Sequence, residues 1–160
     1  MTPHIIDHKD CSCIEVKIQT FQELTTHELY AILKARAAVF VVEQNCQYQD
    51  MDGTDFEATH VTLWNGNEIV AYARVFVEGT SGKWHIGRVL TIRRGMGYGI
   101  PLMNEAINVV KEAGAKVVEI DAQSYAIGFY EKVGFCVCSE EYFIDNILHK
   151  RMRLNIDSTN

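Results

Sequence analysis

Arg93-Arg94-Gly95-Met96-Gly97-Tyr98-Gly99 stands between an apolar run that ends near Ile92 and an amphipathic run that begins near Leu102. A strand that runs through alternating glycines into a helix brings backbone N–H groups to one point. Glycine allows φ > 0 and lets those groups approach a ligand with no Cβ in the way. At a helix N-terminus the unpaired N–H groups and the helix dipole favour an anion, and Arg93 and Arg94 add positive charge beside it. In physical terms the stretch is a phosphate cradle, with a glycine-rich turn that holds no ligand as the alternative left open by so short a motif.

Two nucleotide loops fail at the residue level. A dinucleotide G-x-G-x-x-G begun at Gly95 or Gly97 needs glycine at 100 or 102, where Ile100 and Leu102 stand. A Walker A loop needs Lys-Ser or Lys-Thr after its last glycine, and Ile100-Pro101 follows Gly99 instead.

Outward from the cradle, Trp84–Ile92 reads as the strand that enters it. Leu102, Met103, Ala106, Ile107, Val110 and Ala113 recur at three and four, with Pro101 in the first turn and Gly114 past the end, which predicts a helix. Val117–Ala122 is a short apolar run expected as a strand buried on both faces and joined to its neighbour through that crossover helix. Upstream, residues 14–18 alternate as a first strand. Thr25-Thr26-His27-Glu28 is a capping box, with Leu24 and Leu29 as its hydrophobic staple, opening a helix that runs to about Phe40. Asn65-Gly66-Asn67 joins strands His60–Trp64 and Glu68–Val77, the second long and central. A short helix near Ala126–Val133 and strands Phe135–Cys138 and Leu148–Leu154 close the order β α β β β α β α β β.

Glu43–Thr59 has no period and carries four acidic residues from Asp50 to Glu57. It reads as a loop, either a substrate wall or a solvated acidic surface. Arg36 and Arg88 interrupt apolar patterns, so each is expected to meet a carboxylate, structural or on a substrate.

The 160 residues, nearly half apolar, suit one domain, with 1–12 and 156–160 as flexible ends. A net charge of -6 without a Lys/Arg run argues against nucleic acid. Apolar runs fall far short of the roughly 20 residues of a membrane helix, and the N-terminus lacks a signal-peptide pattern; a cytoplasmic protein is expected. Cys11, Cys13, Cys46, Cys136 and Cys138 are expected as reduced thiols, small hydrophobes of the apolar stretches, since C-x-C pairs lack the usual zinc spacing. No metal is expected.

Arg94-x-x-Gly97-x-Gly99 resembles the R/Q-x-x-G-x-G/A signature of the GNAT acetyltransferase superfamily. Gln123-Ser124-Tyr125-Ala126-Ile127-Gly128-Phe129-Tyr130-Glu131-Lys132-Val133-Gly134-Phe135 resembles its later motif. Arg36, Val39-Phe40-Val41-Val42-Glu43-Gln44, Cys46, Asp52-Gly53, Asp55, His60, Ile86-Gly87-Arg88-Val89, Ala122-Gln123, Ile147-Leu148-His149 and Met152 follow the order of the ElaA-like branch. The resemblance covers about residues 13–154.

That resemblance implies a single α/β (mixed α+β) domain. Its central sheet is mixed, mostly antiparallel, flanked by helices and splayed between the fourth strand (Trp84–Ile92) and the fifth (Val117–Ala122). It implies acetyl-coenzyme A as cosubstrate, with the backbone of Val89, Leu90, Thr91 and Ile92 along the pantetheine arm. Arg94, Gly95, Met96, Gly97, Tyr98, Gly99 and Ile100 would hold the pyrophosphate, with Gln123 and Tyr130 also at the coenzyme.

An amine would attack the thioester carbonyl directly, and Tyr130 matches the general acid; a phenol of pKa near 10 is protonated at neutral pH. Where many members carry a glutamate on the fourth strand, this chain offers Arg88, so Glu43, His60 and His149 are the candidate bases or substrate contacts. Arg88 and Arg36 are candidate substrate contacts. A non-catalytic acyl-coenzyme A binding module and a transferase of longer acyl groups stand as alternatives. The acceptor would be a small-molecule or peptide amine, with homodimer or monomer left open.

Overall fold

The computed structural model describes residues 1–8 and 13–156. One sheet carries the chain, in the order β1-β2-β3-β4-β5-β6-β9-β7, with β8 paired to β9. The strands are β1 His4–Asp7, β2 Cys13–Thr20, β3 Thr59–Asn65, β4 Glu68–Glu78, β5 Lys83–Thr91, β6 Val117–Gln123, β7 Cys136–Val137, β8 Tyr142–Ile144 and β9 Ile147–Asn155. The helices are α1 Thr26–Arg36, α2 Gly99–Glu112 and α3 Ile127–Lys132. Every strand pairing is antiparallel except β5 with β6.

That parallel pair makes the cleft. Only Trp84↔Val118 and His85↔Glu119 are in register, and beyond His85 the two strands part. The splay expected between the fourth and fifth strands is present, and α2 is the crossover that a parallel neighbour requires. Leu102, Met103, Ala106 and Val110 of α2 pack on Val61, Leu63, Ala71 and Ile86 on one face of the sheet. On the other face Ile32, Ala35, Val39 and Phe40 pack on Tyr72 and Leu90.

The structure corrects several sequence expectations. Residues 4–7 are not a loose end but a strand paired with β2 from His4↔Val16 to Asp7↔Cys13; four residues are too few to show a period, and the edge of β2 supplies the order. Residues 9–12 and 157–160 lie outside the described residues. A further hairpin, β8–β9, turns at Asp145 and Asn146, whose φ values of 49° and 64° are left-handed, as a two-residue hairpin turn requires and Asp and Asn tolerate. The first helix is α-helical only to Arg36 and then widens into a π-helical segment, Ala37–Glu43. β6 is not apolar on both faces: Val118, Ile120 and Ala122 enter the core while Glu119, Asp121 and Gln123 alternate with them. Cys13, Cys136 and Cys138 are exposed rather than core, and Cys46 is buried.

The acidic loop does line the cleft, through Tyr48, Asp52, Thr54 and Glu57, but its aspartates also serve a cluster of arginines beneath it. Arg36, 0% exposed, donates from Nε to Asp50 Oδ2 (2.8 Å), from Nη1 to Asp55 Oδ1 (2.6 Å) and from Nη2 to the Asp50 carbonyl (2.9 Å). Arg74 donates from Nη1 to Asp52 Oδ1 and Asp55 Oδ1 (both 2.9 Å) and from Nη2 to Asp52 Oδ2 (2.6 Å). Arg88 donates from Nε to Asp50 Oδ1 (2.7 Å) and from Nη2 to the Asp50 carbonyl (3.1 Å). Burial alone would raise the Asp55 carboxyl, but Arg36 and Arg74 hold it below its ordinary value. Positive and negative charges match, which is the condition for burying them.

At the start of α1 the capping box is closed in both directions, Thr25 N–H to Glu28 Oε2 at 2.9 Å and Glu28 N–H to Thr25 Oγ1 at 3.2 Å. Lys17 Nζ adds a bond to Glu28 Oε1 at 3.0 Å. Burial opposes ionisation of Glu28, yet these donors lower its pKa from 4.5 to about 2.

Two measurements test these buried charges. A carboxylate with a depressed folded pKa contributes stability that is complete above its unfolded value and is lost as the pH falls through the folded one. Glu28→Gln should therefore lower urea stability at pH 7 while flattening the acid limb from about 4.5 to about 2; an unchanged limb contradicts the assignment. Arg36→Ala should lose roughly 3–5 kcal/mol, because it strands buried carboxylates, and a loss below about 1 kcal/mol would show that the cluster is not closed as described.

Candidate active site

The parting of β5 and β6 opens a cleft of about 1170 Å³. Small-ligand pockets run to about 300–1,000 Å³, so there is room for a long donor together with an acceptor. Val89, Leu90 and Thr91 of β5 line one wall, Ile120, Asp121 and Gln123 of β6 the other, and the glycine stretch closes one end.

At that end Gly97 has φ +82°, a conformation that a Cβ strains, and Gly99 opens α2. A Cβ on Gly99 would stand 2.9 Å from two ring carbons of Phe129, so only glycine lets the first turn of α2 approach α3. No side chain caps α2, so the N–H groups of Gly99 and Ile100 face the cleft end without an internal partner from that source. Arg94, Gly95, Tyr98 and Ile100 line the same space. Of the residues expected along the coenzyme, two differ. Ile92 gives its N–H to the Val70 carbonyl at 2.9 Å, and Met96 packs against the core. The loop therefore fits a pyrophosphate through Gly97, Gly99, Ile100 and the two arginines.

Tyr130 lines the cleft from α3, its ring edge-on to Phe129 at 5.0 Å and to Phe135 at 6.2 Å between centroids. Its hydroxyl has no protein partner among the described residues. Burial, with Tyr125 adding to it, raises the phenol above its ordinary value, so it is protonated throughout the neutral range.

Gln123 and Gln44 exchange two bonds, Gln44 Nε2 to Gln123 Oε1 at 3.2 Å and Gln123 Nε2 to Gln44 Oε1 at 3.1 Å. The pair ties the end of the π-helical segment to the end of β6. Directly across the β6–β9 ladder from Gln123 lies His149. Its Nδ1 is 2.7 Å from the Ile147 carbonyl, which only accepts, so the neutral ring carries its proton there and keeps Nε2 as the basic nitrogen. His149 lines the cleft.

The other candidate bases stand elsewhere. His60 is 1% exposed and away from the cleft lining. Its Nε2 donates to the Asp55 carbonyl (2.9 Å) and its Nδ1 accepts from the Tyr72 hydroxyl (2.8 Å), so neither nitrogen is open to an amine. Burial pushes its pKa down, with Arg36 and Arg74 adding to that. Glu43 pairs with Arg94 of the glycine loop, at the phosphate end. Arg36 is sealed in the carboxylate cluster and meets no substrate; Arg88 lines the cleft but gives its guanidinium to Asp50 and Asp52.

Sequence reasoning passed over Arg74, Tyr48 and His85. Arg74 carried the same signal that marked Arg36 and Arg88, a guanidinium inside an apolar strand. Tyr48 donates to Asp50 Oδ1 at 3.2 Å, and burial pushes its phenol up to about 12. His85 Nε2 lies 3.3 Å from Asp121 Oδ2 on the cleft floor, a pairing invisible before β5 and β6 are brought together.

Comparison with known proteins agrees with this geometry. The family described as Acetyltransferase (GNAT) domain matches residues 17–156. Protein ElaA of Escherichia coli is 39% identical over 133 residues, which is 79% of this chain and 87% of that one. A UPF0039 protein of Schizosaccharomyces pombe is 39% identical over 150 residues, 91% of this chain and 99% of that one. The crystal structure of Escherichia coli ElaA superposes with a TM-score of 0.81 at 36% identity, covering 89% of this chain and 99% of that one. That of an acyl-CoA N-acyltransferase from Pseudomonas aeruginosa gives 0.81 at 34% identity, covering 87% and 98%. With the glycine cradle, the split sheet and the cleft-facing tyrosine in place, this chain belongs to the GNAT acetyltransferase family, beside ElaA, and is an acyl-CoA-dependent acyltransferase.

Proposed function

We propose that the chain is a cytoplasmic N-acetyltransferase that moves the acetyl group of acetyl-coenzyme A to a primary amine by direct attack. The acceptor is a small molecule or an exposed amino group. The observation that carries the reading is that one cleft brings together an anion cradle, a partly buried, protonated phenol and a histidine with its tautomer set.

Each group has one task. Arg94 and the N–H groups of Gly97, Gly99 and Ile100 hold the pyrophosphate by charge-assisted bonds. The backbone of Val89–Thr91 lies along the pantetheine arm. Nε2 of His149 takes the proton that the amine loses as it attacks the thioester carbonyl, and Tyr130 delivers a proton to the departing thiolate. Gln123, held by Gln44, orients donor or amine between them.

Tyr130→Phe should lower kcat by about 10²–10⁴ and leave acetyl-coenzyme A binding nearly unchanged by calorimetry. Equal turnover in both proteins would remove the phenol from the reaction, and coenzyme binding with no thiol release against any amine would favour a non-catalytic binding module. His149→Ala should fall by a similar factor and recover part of its rate when imidazole is added to the assay. No recovery, with a normally folded variant, would make His149 structural. Faster thiol release from longer acyl donors than from acetyl-coenzyme A would replace the acetyl group in this reading.

A further inference from the structure

Among the described residues, Asn45, Arg88, Asp145 and Asn146 are the non-glycine residues with left-handed φ. Asn and Asp adopt that conformation readily, whereas a long side chain inside a strand does so only when its surroundings impose it. Arg88 sits within β5 at φ +52°.

The strand is bulged there. Arg74 faces Gly87 and Tyr72 faces Leu90, so Arg88 and Val89 together oppose Ala73 alone. Bulges bend a strand and re-aim the residues beyond them. In β5 those residues are Leu90 and Thr91, on the length of the strand that has already left β6.

The restraint on the bulge is visible. The Arg88 guanidinium donates to Asp50 Oδ1 at 2.7 Å, to the Asp50 carbonyl at 3.1 Å and to Asp52 Oδ2 at 3.4 Å. It lies 6.0 Å from the Phe40 ring centre and 5.4 Å from that of Tyr48. Asp50 is fixed in turn by Arg36 Nε at 2.8 Å. Nε and Nη2 are engaged this way, which ties the guanidinium to the carboxylate cluster.

We propose that Arg88 is a positioning residue for acyl transfer: its guanidinium, locked by Asp50 and Asp52, holds β5 in the bulged, left-handed turn that sets the backbone of Val89–Thr91 against the donor thioester. It acts through the backbone and touches neither substrate. The inference rests on the reading of β5 as the strand that the donor lies along.

Glycine separates the two roles, because it takes φ near +52° freely and has no guanidinium. Steady-state rates would be measured for Arg88→Gly, Arg88→Ala and Arg88→Lys, with acetyl-coenzyme A and an amine acceptor, on variants whose folding is checked by circular dichroism. A left-handed residue with a Cβ is disfavoured by enough to give kcat for Arg88→Ala about tenfold below that for Arg88→Gly. Acceptor KM should stay alike in the two. If the alanine variant does not fold, Arg88→Lys takes its place, since lysine has the same Cβ and lacks the planar fork. Equal losses in the glycine and the Cβ-bearing variant would overturn the inference, because a guanidinium that grips the acceptor is missing from both. Unchanged kcat in both, with only a lowered melting temperature, would overturn it too. Absence of acetyl-coenzyme A binding by the unaltered protein defeats the donor reading itself, and calorimetry reports that separately from the glycine comparison.

Discussion

Buried charge neutrality is the constraint on which the site depends. Arg36, Arg74 and Arg88 meet Asp50, Asp52 and Asp55 beneath the loop that joins α1 to the sheet. The guanidiniums of Arg36 and Arg74 could not be buried alone, and it is these two that keep Asp55 ionised against its burial. The cluster links the end of α1, the irregular segment before β3, the centre of β4 and the bulge of β5. A loop with little apolar surface of its own is thereby tied onto the sheet, and one wall of the cleft is held in shape.

From that anchor the rest of the architecture reads as consequence. β4 is central because β3 and β5 pair along most of its length. β5 is bulged at Arg88 and leaves β6 after His85, and the gap between them is the cleft. α2 starts at the mouth of that gap and directs its N-terminal N–H groups to it, while α3 crosses close by because Gly99 has no side chain to hold Phe129 away.

Much of this was legible where the signal is local. The capping box at Thr25, the hairpin glycine at 66, the period of α2 and the glycine stretch each act over a few residues, and each is found where it was expected. β1 and β8 were missed because their pairing partners, not their own periods, make them strands. The bulge at Arg88 was missed for a related reason: the carboxylates that Arg88 meets there, Asp50 and Asp52, are 38 and 36 residues away in sequence. The candidate bases divide the same way. As candidates His60, Glu43 and His149 rank alike in sequence, and only the two engaged ring nitrogens of the first, the pairing of the second and the single backbone carbonyl beside the third tell them apart.

The central claim is that the space between the parted strands, closed by the glycine stretch, is where an acyl-coenzyme A lies. Backbone amide shifts of the labelled protein, followed as acetyl-coenzyme A is titrated in, test it most directly. The expected result is saturable shifts concentrated at Gly97, Gly99, Ile100 and Val89–Thr91, with β1 and β2 silent. Saturable shifts centred elsewhere, or none at all, would contradict it.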